Sequence, residues 1–284
     1  MIAQRNTEHG TRPPPLPPLT PPIKLLTIAG SDSGGAAGLQ ADLRAWAVLG
    51  AYGLSVITAV TAQDSRAVHA IHPLPPDFIA AQLTAVLSDY GADAAKTGFL
   101  GRVSVIETVA EQLAQFAVPH LVVDPVLVNH KGAAMFDTAV AAAYLTHLFP
   151  RASLVTPNPA EAGLLLGIDV RCLRDGETAV RRLHDLGPQA ILLKRIPAGK
   201  TFVDLFYDGQ TVTRLPAPKI QTVNTHGSGD VLSAAVAAFL AMGEGMGTAV
   251  HRAHAFTQTA LHNGASWQLG SGHGPVWPNR KDIA

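Results

Sequence analysis

From residue 24 onward the chain alternates short apolar runs with longer stretches of helical period, and that alternation admits few architectures. The short runs are KLLTIAG, YGLSVITAVTA, ADAAKTG, PHLVVDPV, ASLVTPN and QAILLK. Between the first two, AAGLQADLRAWAVLG places Leu39, Leu43, Trp46 and Leu49 on one helical face, with Gly50 as a C-terminal stop. Pro75, Pro76 and Asp77 then open a helix carrying Ile79, Leu83, Val86 and Tyr90 on one stripe. YGLSVITAVTA is continuous and β-branched, as expected of a strand buried on both faces. Strands separated by helices pair in parallel, because a parallel connection has to cross the length of the sheet. One stretch departs from the rule. FVDLFYDGQTVTRLP reads as two alternating runs around Asp208-Gly209, a type I′ hairpin signal. Two helices close the pattern, at about 228–242 and 248–263. The expectation is an α/β fold: a mostly parallel central sheet between two helical layers, with a late antiparallel hairpin near one edge. No internal repeat or linker interrupts residues 24–284, which are read as one domain.

Residues 1–23 are different. TRPPPLPPLTPPIK cannot support regular backbone hydrogen bonding and is expected to be an extended or disordered tail. Its PxxP spacing could seat on an SH3-like groove, although a linker is the commoner use of such a segment. Lys plus Arg and Asp plus Glu number 21 each, so nothing electrostatic calls for nucleic acid or an anionic membrane as partner. A single cysteine, Cys172, excludes an internal disulfide framework and fits a reducing compartment. No apolar run reaches about 18 residues, so a soluble cytoplasmic protein is expected. The twelve histidines show no H-E-x-x-H spacing, and no zinc site is assigned. Cys172 is read as inert.

In open parallel sheets, ligands bind beyond the carboxyl ends of the strands. The loops there are rich in glycine and polar residues: GSDSGG, TAQDS, KTGFL, DPVLV, TPNPAE and KRIPAG. None is the G-x-G-x-x-G or Walker pattern. The sharpest signal is NTHGSGDVLSAAVAAFLA, where Gly227-Ser228-Gly229 opens a helix of small residues and can turn its N–H groups toward an anion. Asp230 is then either a first-turn acid stabilised by the helix dipole or a base beside a phosphoryl group. Asp124 follows a buried run and requires a partner or a metal. Asn158 and Glu161 form N-x-x-E, readable as a helix cap or as part of a phosphate site. Lys194, after AILL, is either a satisfied edge cation or a nucleotide contact, whereas Lys96 is read as structural.

LTIAGSDSGGAAGLQADL, GAYGLSVITAVTAQDS, KTGFL, DPVLV, TPNPAEA, NTHGSGD and GSGHGPV occur in order over nearly everything after residue 24, and together they resemble the hydroxymethylpyrimidine/phosphomethylpyrimidine kinases of the ribokinase superfamily. That resemblance implies a ribokinase-like three-layer α/β/α sandwich and ATP-dependent phosphorylation of a small pyrimidine alcohol in thiamine biosynthesis. It also implies Mg²⁺ and a homodimer. By resemblance, Asp230 is the catalytic base and Gly227, Ser228 and Gly229 form the anion hole. The heterocycle is surrounded by Gly30, Ala37, Asp42, Gln63, Phe99 and Val126. The nucleotide is held by Asn158, Lys194, Thr225, Gly227 and Gly229, and Mg²⁺ by Asp124 and Glu161. The chain departs from the family pattern in four places. Asp230 stands where a cysteine is usual, Arg195 and Ile196 replace two glycines after Lys194, Ala36 replaces a glycine, and Phe99 replaces a methionine. A pyridoxal kinase of the same superfamily, which shares the aspartate, and a non-catalytic pyrimidine-binding protein are the alternatives.

Overall fold

A computed structural model describes residues 21–129, 132–199 and 201–279 of the chain. The first twenty residues, and with them most of the proline-rich segment, lie outside the described residues. Nine strands form one sheet in the order β3-β2-β1-β4-β5-β6-β7-β8-β9. Six are mutually parallel: β2 (Tyr52–Gln63), β1 (Lys24–Asp32), β4 (Ala94–Thr97), β5 (Leu121–Val123), β6 (Leu154–Val155) and β7 (Ile191–Ala198). Helices α1 (Gly38–Val48), α7 (Ser228–Ala241) and α8 (Met246–Gly264) cover one face. The other face carries α2 (Pro76–Asp89), α3 (Val103–Gln115), α4 (Thr138–Ala143), α5 (Pro159–Leu166) and α6 (Leu173–His184). The three layers expected from the strand–helix alternation are therefore present.

Neighbouring residues of the parallel strands divide between the two cores. Leu26 and Ile28 of β1 pack with α2 and α3, whereas Leu25 packs with Trp46 and α7. Helix α7 is almost entirely buried because its Ser-Ala-Ala-Val-Ala-Ala run lets it lie close to the sheet and to α1. The Trp46 indole N–H donates to the Ala234 carbonyl at 2.8 Å and locks that contact. No helix among the described residues is long and apolar enough to cross a membrane.

Several sequence expectations need correction. The sheet has antiparallel strands at both edges, since β3 (Val68–Pro73) folds back on β2. With that edge open, β2 alternates buried and half-exposed residues rather than being buried on both faces. At the other edge β7, β8 (Thr201–Tyr207) and β9 (Val212–Ala217) form an antiparallel meander. Strand β7 thus runs through KRIPA, which was expected to be a loop, with a bulge between Leu193 and Ile196. The Asp208-Gly209 turn is not type I′. Gly209 has positive φ but Asp208 does not, and the Asp208 carboxylate instead accepts the N–H groups of Gln210 and Thr211 at 2.9 and 2.7 Å. In α2, Ile79 and Leu83 are buried as expected, while Tyr90 lies beyond the helix, exposed and stacked on Tyr52.

Candidate active site

Strand β1 is flanked by β2 on one side and β4 on the other, so the chain reverses its winding direction there and opens a crevice at the carboxyl ends. The sequence-predicted loops converge on that end. Just before α7, Gly227 has φ 77°, and a Cβ there would overlap the Ala36 carbonyl oxygen. Only glycine lets the turn meet the loop after β1 this closely. The Ser228 N–H turns back to the Thr225 carbonyl at 3.2 Å, so the expected anion hole loses one donor and rests on the amides of Gly227, Gly229 and Asp230. The GSGHGPV segment braces the turn from the outside. The His226 N–H donates to the Gly274 carbonyl, the Gly274 N–H to Asn224 Oδ1 at 3.1 Å, and His273 Nε2 lies 2.8 Å from Thr225 Oγ1. Two motifs nearly fifty residues apart therefore form one structure.

A cavity of about 600 Å³ opens in front of this turn. Ala37, Asn158, Lys194, Thr225, Gly227, Ser228, Gly229 and Asp230 line it, as do Thr257, Gln258 and Leu261 of α8 and residues 217–220 at the end of β9 and just beyond it. The anion-hole and nucleotide residues expected from the sequence are thus brought together. The α8 and β9 wall was not anticipated, because nothing in its sequence distinguishes it from ordinary helix surface and strand end.

Two buried ion-pair clusters underlie the cavity. In the first, Lys194 Nζ lies 2.8 Å from Asp124 Oδ1, which answers the need of Asp124 for a partner. The ammonium pKa is raised: burial is the largest influence and opposes the shift, but the Asp124 and Glu161 carboxylates outweigh it. Lys194 also sits where a Cβ on Gly229 would come within 3.3 Å, directly behind the glycine turn. Asn158 and Glu161 make a capping box for α5: Asn158 Oδ1 accepts the Glu161 N–H at 3.0 Å, and Glu161 Oε2 accepts the Asn158 N–H at 2.8 Å. The other carboxylate oxygen of Glu161 accepts the Leu127 N–H at 3.3 Å. Burial, reinforced by Asp124, pushes the Glu161 carboxyl up to about 7. With both oxygens engaged and almost no exposure, Glu161 would act on a cation beside Asp124 through water, as the N-x-x-E resemblance implies. Asp124 Oδ2 lies 3.4 Å from the Ser233 hydroxyl, and among the described residues no group of three or more His, Cys, Asp or Glu is placed to hold a metal. The donor set suits a hydrated cation reached through water, as Mg²⁺ prefers.

The second cluster was missed. Lys96, expected to be structural, has its Nζ 2.6 Å from Asp42 Oδ1 and 3.0 Å from Asp230 Oδ1. The Thr27 hydroxyl donates to Asp42 Oδ2 at 2.6 Å. Asp42 is therefore enclosed beneath the site with both oxygens engaged, and the expectation that it contacts the heterocycle is corrected. Burial, with a contribution from Asp230, pushes the Asp42 carboxyl up to about 7.

Of the remaining expected pyrimidine contacts, Gly30, Phe99, Gln63 and Ala37 lie around the end of β1 and the glycine turn. Phe99 packs where a Cβ on Gly30 would come within 3.4 Å, and its ring is 5.6 Å from that of Phe136. Gln63 Nε2 is 3.1 Å from His226 Nε2, and Ala37 N-caps α1 beside Gly227. Val126 is half-buried in the loop after β5. Asp32 went unnoticed, although its carboxylate accepts the N–H groups of Gly34, Ala36 and Ala37 at 2.8–2.9 Å and so shapes the GSDSGG loop. An Asp two residues before Gly-Gly was the available signal. Arg195 adopts φ 58°, the left-handed conformation that glycine favours. Its N–H donates to Asp204 Oδ1 at 2.6 Å and its guanidinium lies 4.9 Å from the centre of the Phe202 ring, so an arginine here keeps a glycine-like backbone.

The phosphomethylpyrimidine kinase family matches residues 32–277. The chain belongs to that family. It is 43% identical over 256 residues to a hydroxymethylpyrimidine/phosphomethylpyrimidine kinase of Rhizobium meliloti, covering 88% of this chain and 95% of the relative. It is 42% identical over 252 residues to a chloroplastic thiamine biosynthetic bifunctional enzyme of Arabidopsis thaliana, covering 88% of this chain but only 48% of that relative, about half its length. Among solved structures, the pyridoxal kinase of Staphylococcus aureus in complex with AMP-PCP superposes with a TM-score of 0.86 at 34% identity, over 93% of this chain and 96% of that one. The fold is accordingly ribokinase-like.

Proposed function

We propose that the protein transfers the γ-phosphoryl group of ATP to the hydroxymethyl group of 4-amino-5-hydroxymethyl-2-methylpyrimidine, and then phosphorylates the resulting monophosphate, in thiamine biosynthesis. The observation that carries the proposal is the position of Asp230. Its carboxylate is at the first turn of α7, beside the glycine turn whose Gly229 lies against Lys194, and Asp230, the turn and Lys194 all line the cavity. Asp230 accepts the proton of the acceptor hydroxyl, whose oxygen forms the new bond to phosphorus. The amides of Gly227, Gly229 and Asp230 hold the equatorial oxygens, and Lys194 offsets their charge. Phosphoryl transfer needs mainly positioning and charge stabilisation, so a weakly basic carboxylate suffices. Mg²⁺, reached through water from Asp124 and Glu161, would neutralise the nucleotide phosphates when bound.

At the heterocycle, Gln63 offers donor and acceptor to a ring-nitrogen and amino edge, while Gly30, Phe99, Ala37 and Val126 supply apolar contact. The Val68 and Ile71 side chains, exposed on one face of the β2–β3 hairpin, provide apolar surface for a homodimer, which sedimentation of the purified chain tests. The presence of Asp230 and the likeness to a pyridoxal kinase favour pyridoxal as the second reading. Side-by-side kcat/KM for the pyrimidine and pyridoxal, with ATP and Mg²⁺, is expected to favour the pyrimidine. A preference for pyridoxal overturns the assignment, and no turnover of either points to the non-catalytic alternative.

A further inference from the structure

Lys96 is fully buried on β4 and has no contact with solvent, yet it carries a charge. Two carboxylates from different helices close on its Nζ: Asp42 from α1 at 2.6 Å and Asp230 from α7 at 3.0 Å. Asp42 is held in turn by the Thr27 hydroxyl of β1 at 2.6 Å. Its side chain and that of Lys96 are both 0% exposed, whereas the Asp230 side chain is 17% exposed and faces the cavity. A buried group of this kind is an expensive way to join a sheet to two helices, since apolar side chains of similar volume do so at least as well.

We propose that Lys96 is a positioning residue of the phosphoryl-transfer step: anchored by Asp42, it aims Asp230 at the acceptor hydroxyl while leaving that carboxylate able to take the proton. The inference rests on Asp230 being the base. Once Asp42 has shed its proton, two carboxylates and one ammonium leave one excess negative charge in a region of low dielectric. When the acceptor O–H bond breaks, its proton passes to Asp230 and its electron pair forms the bond to phosphorus. The bond from phosphorus to the bridging oxygen then breaks, with that electron pair leaving on the nucleoside diphosphate. The cluster thereby goes from one excess negative charge to neutral.

Asp42 is essential to this balance. Without it Lys96 would be satisfied by Asp230 alone, and the ion pair would hold Asp230 in its charged form and weaken it as a base. With Asp42 present the ammonium is shared, and it stays in place when Asp230 becomes neutral. The other charged groups facing the cluster are Asp124 at the end of β5 and Lys194 of β7, which pair with each other. The cavity-lining residues of α8, Thr257, Gln258 and Leu261, are uncharged.

The opposing signs of the two neighbours make the proposal testable. The pH profile of kcat/KM for the pyrimidine alcohol is measured from about pH 3.5 to 9, at saturating ATP and Mg²⁺, for the full-length wild type, Asp42→Asn and Lys96→Met. Removing the negative neighbour is expected to move the acid limb to lower pH, and removing the positive neighbour to move it to higher pH, each by about one unit or more. KM for ATP should remain within about threefold in both, while kcat falls at least about tenfold. If Lys96→Met does not fold, the downward shift in Asp42→Asn decides the matter. Limbs that stay at the wild-type position, or that both move the same way, overturn the proposal and leave the cluster a structural tie. Asp230→Asn separates the two levels. Normal turnover in that variant removes the base and this inference with it, whereas an inactive Asp230→Asn combined with unmoved limbs refutes only the role of Lys96.

Discussion

Gly227 and Gly229 sit two residues apart in the same motif, yet the structure assigns them different failures. At Gly227 the backbone is left-handed, and a Cβ would overlap the Ala36 carbonyl oxygen and lie 3.0 Å from its carbon. The conformation costs about 1–2 kcal/mol for an L-residue. Pushing apart two backbone segments adds about 1–3 kcal/mol. Gly227→Ala should therefore lose about 2–5 kcal/mol, which in a chain of this size lowers the melting temperature on the order of 10 °C. At Gly229 the backbone is helical and a Cβ would meet only Lys194 Nζ at 3.3 Å and Asp124 Oδ2 at 3.7 Å. The first is the far end of a flexible side chain. Alanine also improves helix propensity by up to about 1 kcal/mol, so Gly229→Ala should melt at or slightly above the wild-type temperature. Its methyl group, however, stands where a phosphoryl group would approach Lys194, and turnover with ATP should fall roughly tenfold or more. The assay is a thermal melt of both variants beside steady-state kinetics with ATP and the pyrimidine alcohol. Gly229→Ala as unstable as Gly227→Ala, or Gly227→Ala melting with the wild type, would refute the geometry of the turn.

Lys194→Met should raise KM for ATP at least about tenfold and, by leaving Asp124 buried without its partner, lower stability by about 3–5 kcal/mol; an unchanged KM would remove Lys194 from the nucleotide site. Arg195→Gly should retain turnover within about threefold and stability within about 1 kcal/mol, because glycine accepts the left-handed backbone and the N–H to Asp204 survives; steady-state kinetics and a urea titration check both. The carboxyls of Asp42 and Glu161, raised from 3.8 and 4.5 to about 7, bind protons more tightly in the folded than in the unfolded chain. Their contribution is complete below about pH 4 and is lost as pH rises to about 7, each with a slope of up to about 1.4 kcal/mol per unit. His254, lowered from 6.5 by burial, acts in the opposite sense, its contribution being lost as pH falls. Urea midpoints between pH 5 and 8 should therefore fall less steeply in Glu161→Gln, which keeps the capping box, than in the wild type; identical slopes would contradict the burial of that carboxyl.

What could be read along the chain was what depends on neighbours in sequence. Helices α1, α7 and α8 and the central strands followed from apolar period, from the Gly50 stop and from the small residues after Asp230, since these are local properties of the backbone and its side chains. The glycine turn was legible for the same reason: a Gly-x-Gly at a helix start has few conformations. The β2–β3 hairpin, by contrast, was missed because its short outer strand VHAIHP is exposed and carries no alternating pattern. The continuation of β7 through Arg195 was missed because its antiparallel pairing with β8, not its own composition, makes it a strand. The dipeptide Asp208-Gly209 marked a turn correctly but not its type, because a side-chain carboxylate captured the amides.

The chain's own order of residues determined that helices and parallel strands would alternate and that a glycine turn would precede a carboxylate at residue 230. Only the tertiary structure decided what that carboxylate touches. Thr27, Asp42, Lys96 and Asp230 are scattered over two hundred positions and meet because β1, α1, β4 and α7 converge where the sheet reverses its winding. Asp42 and Lys96 looked like a substrate contact and a structural lysine, respectively. In three dimensions each is the other's partner, because a charge removed from water must find its counter-charge wherever the fold brings one near.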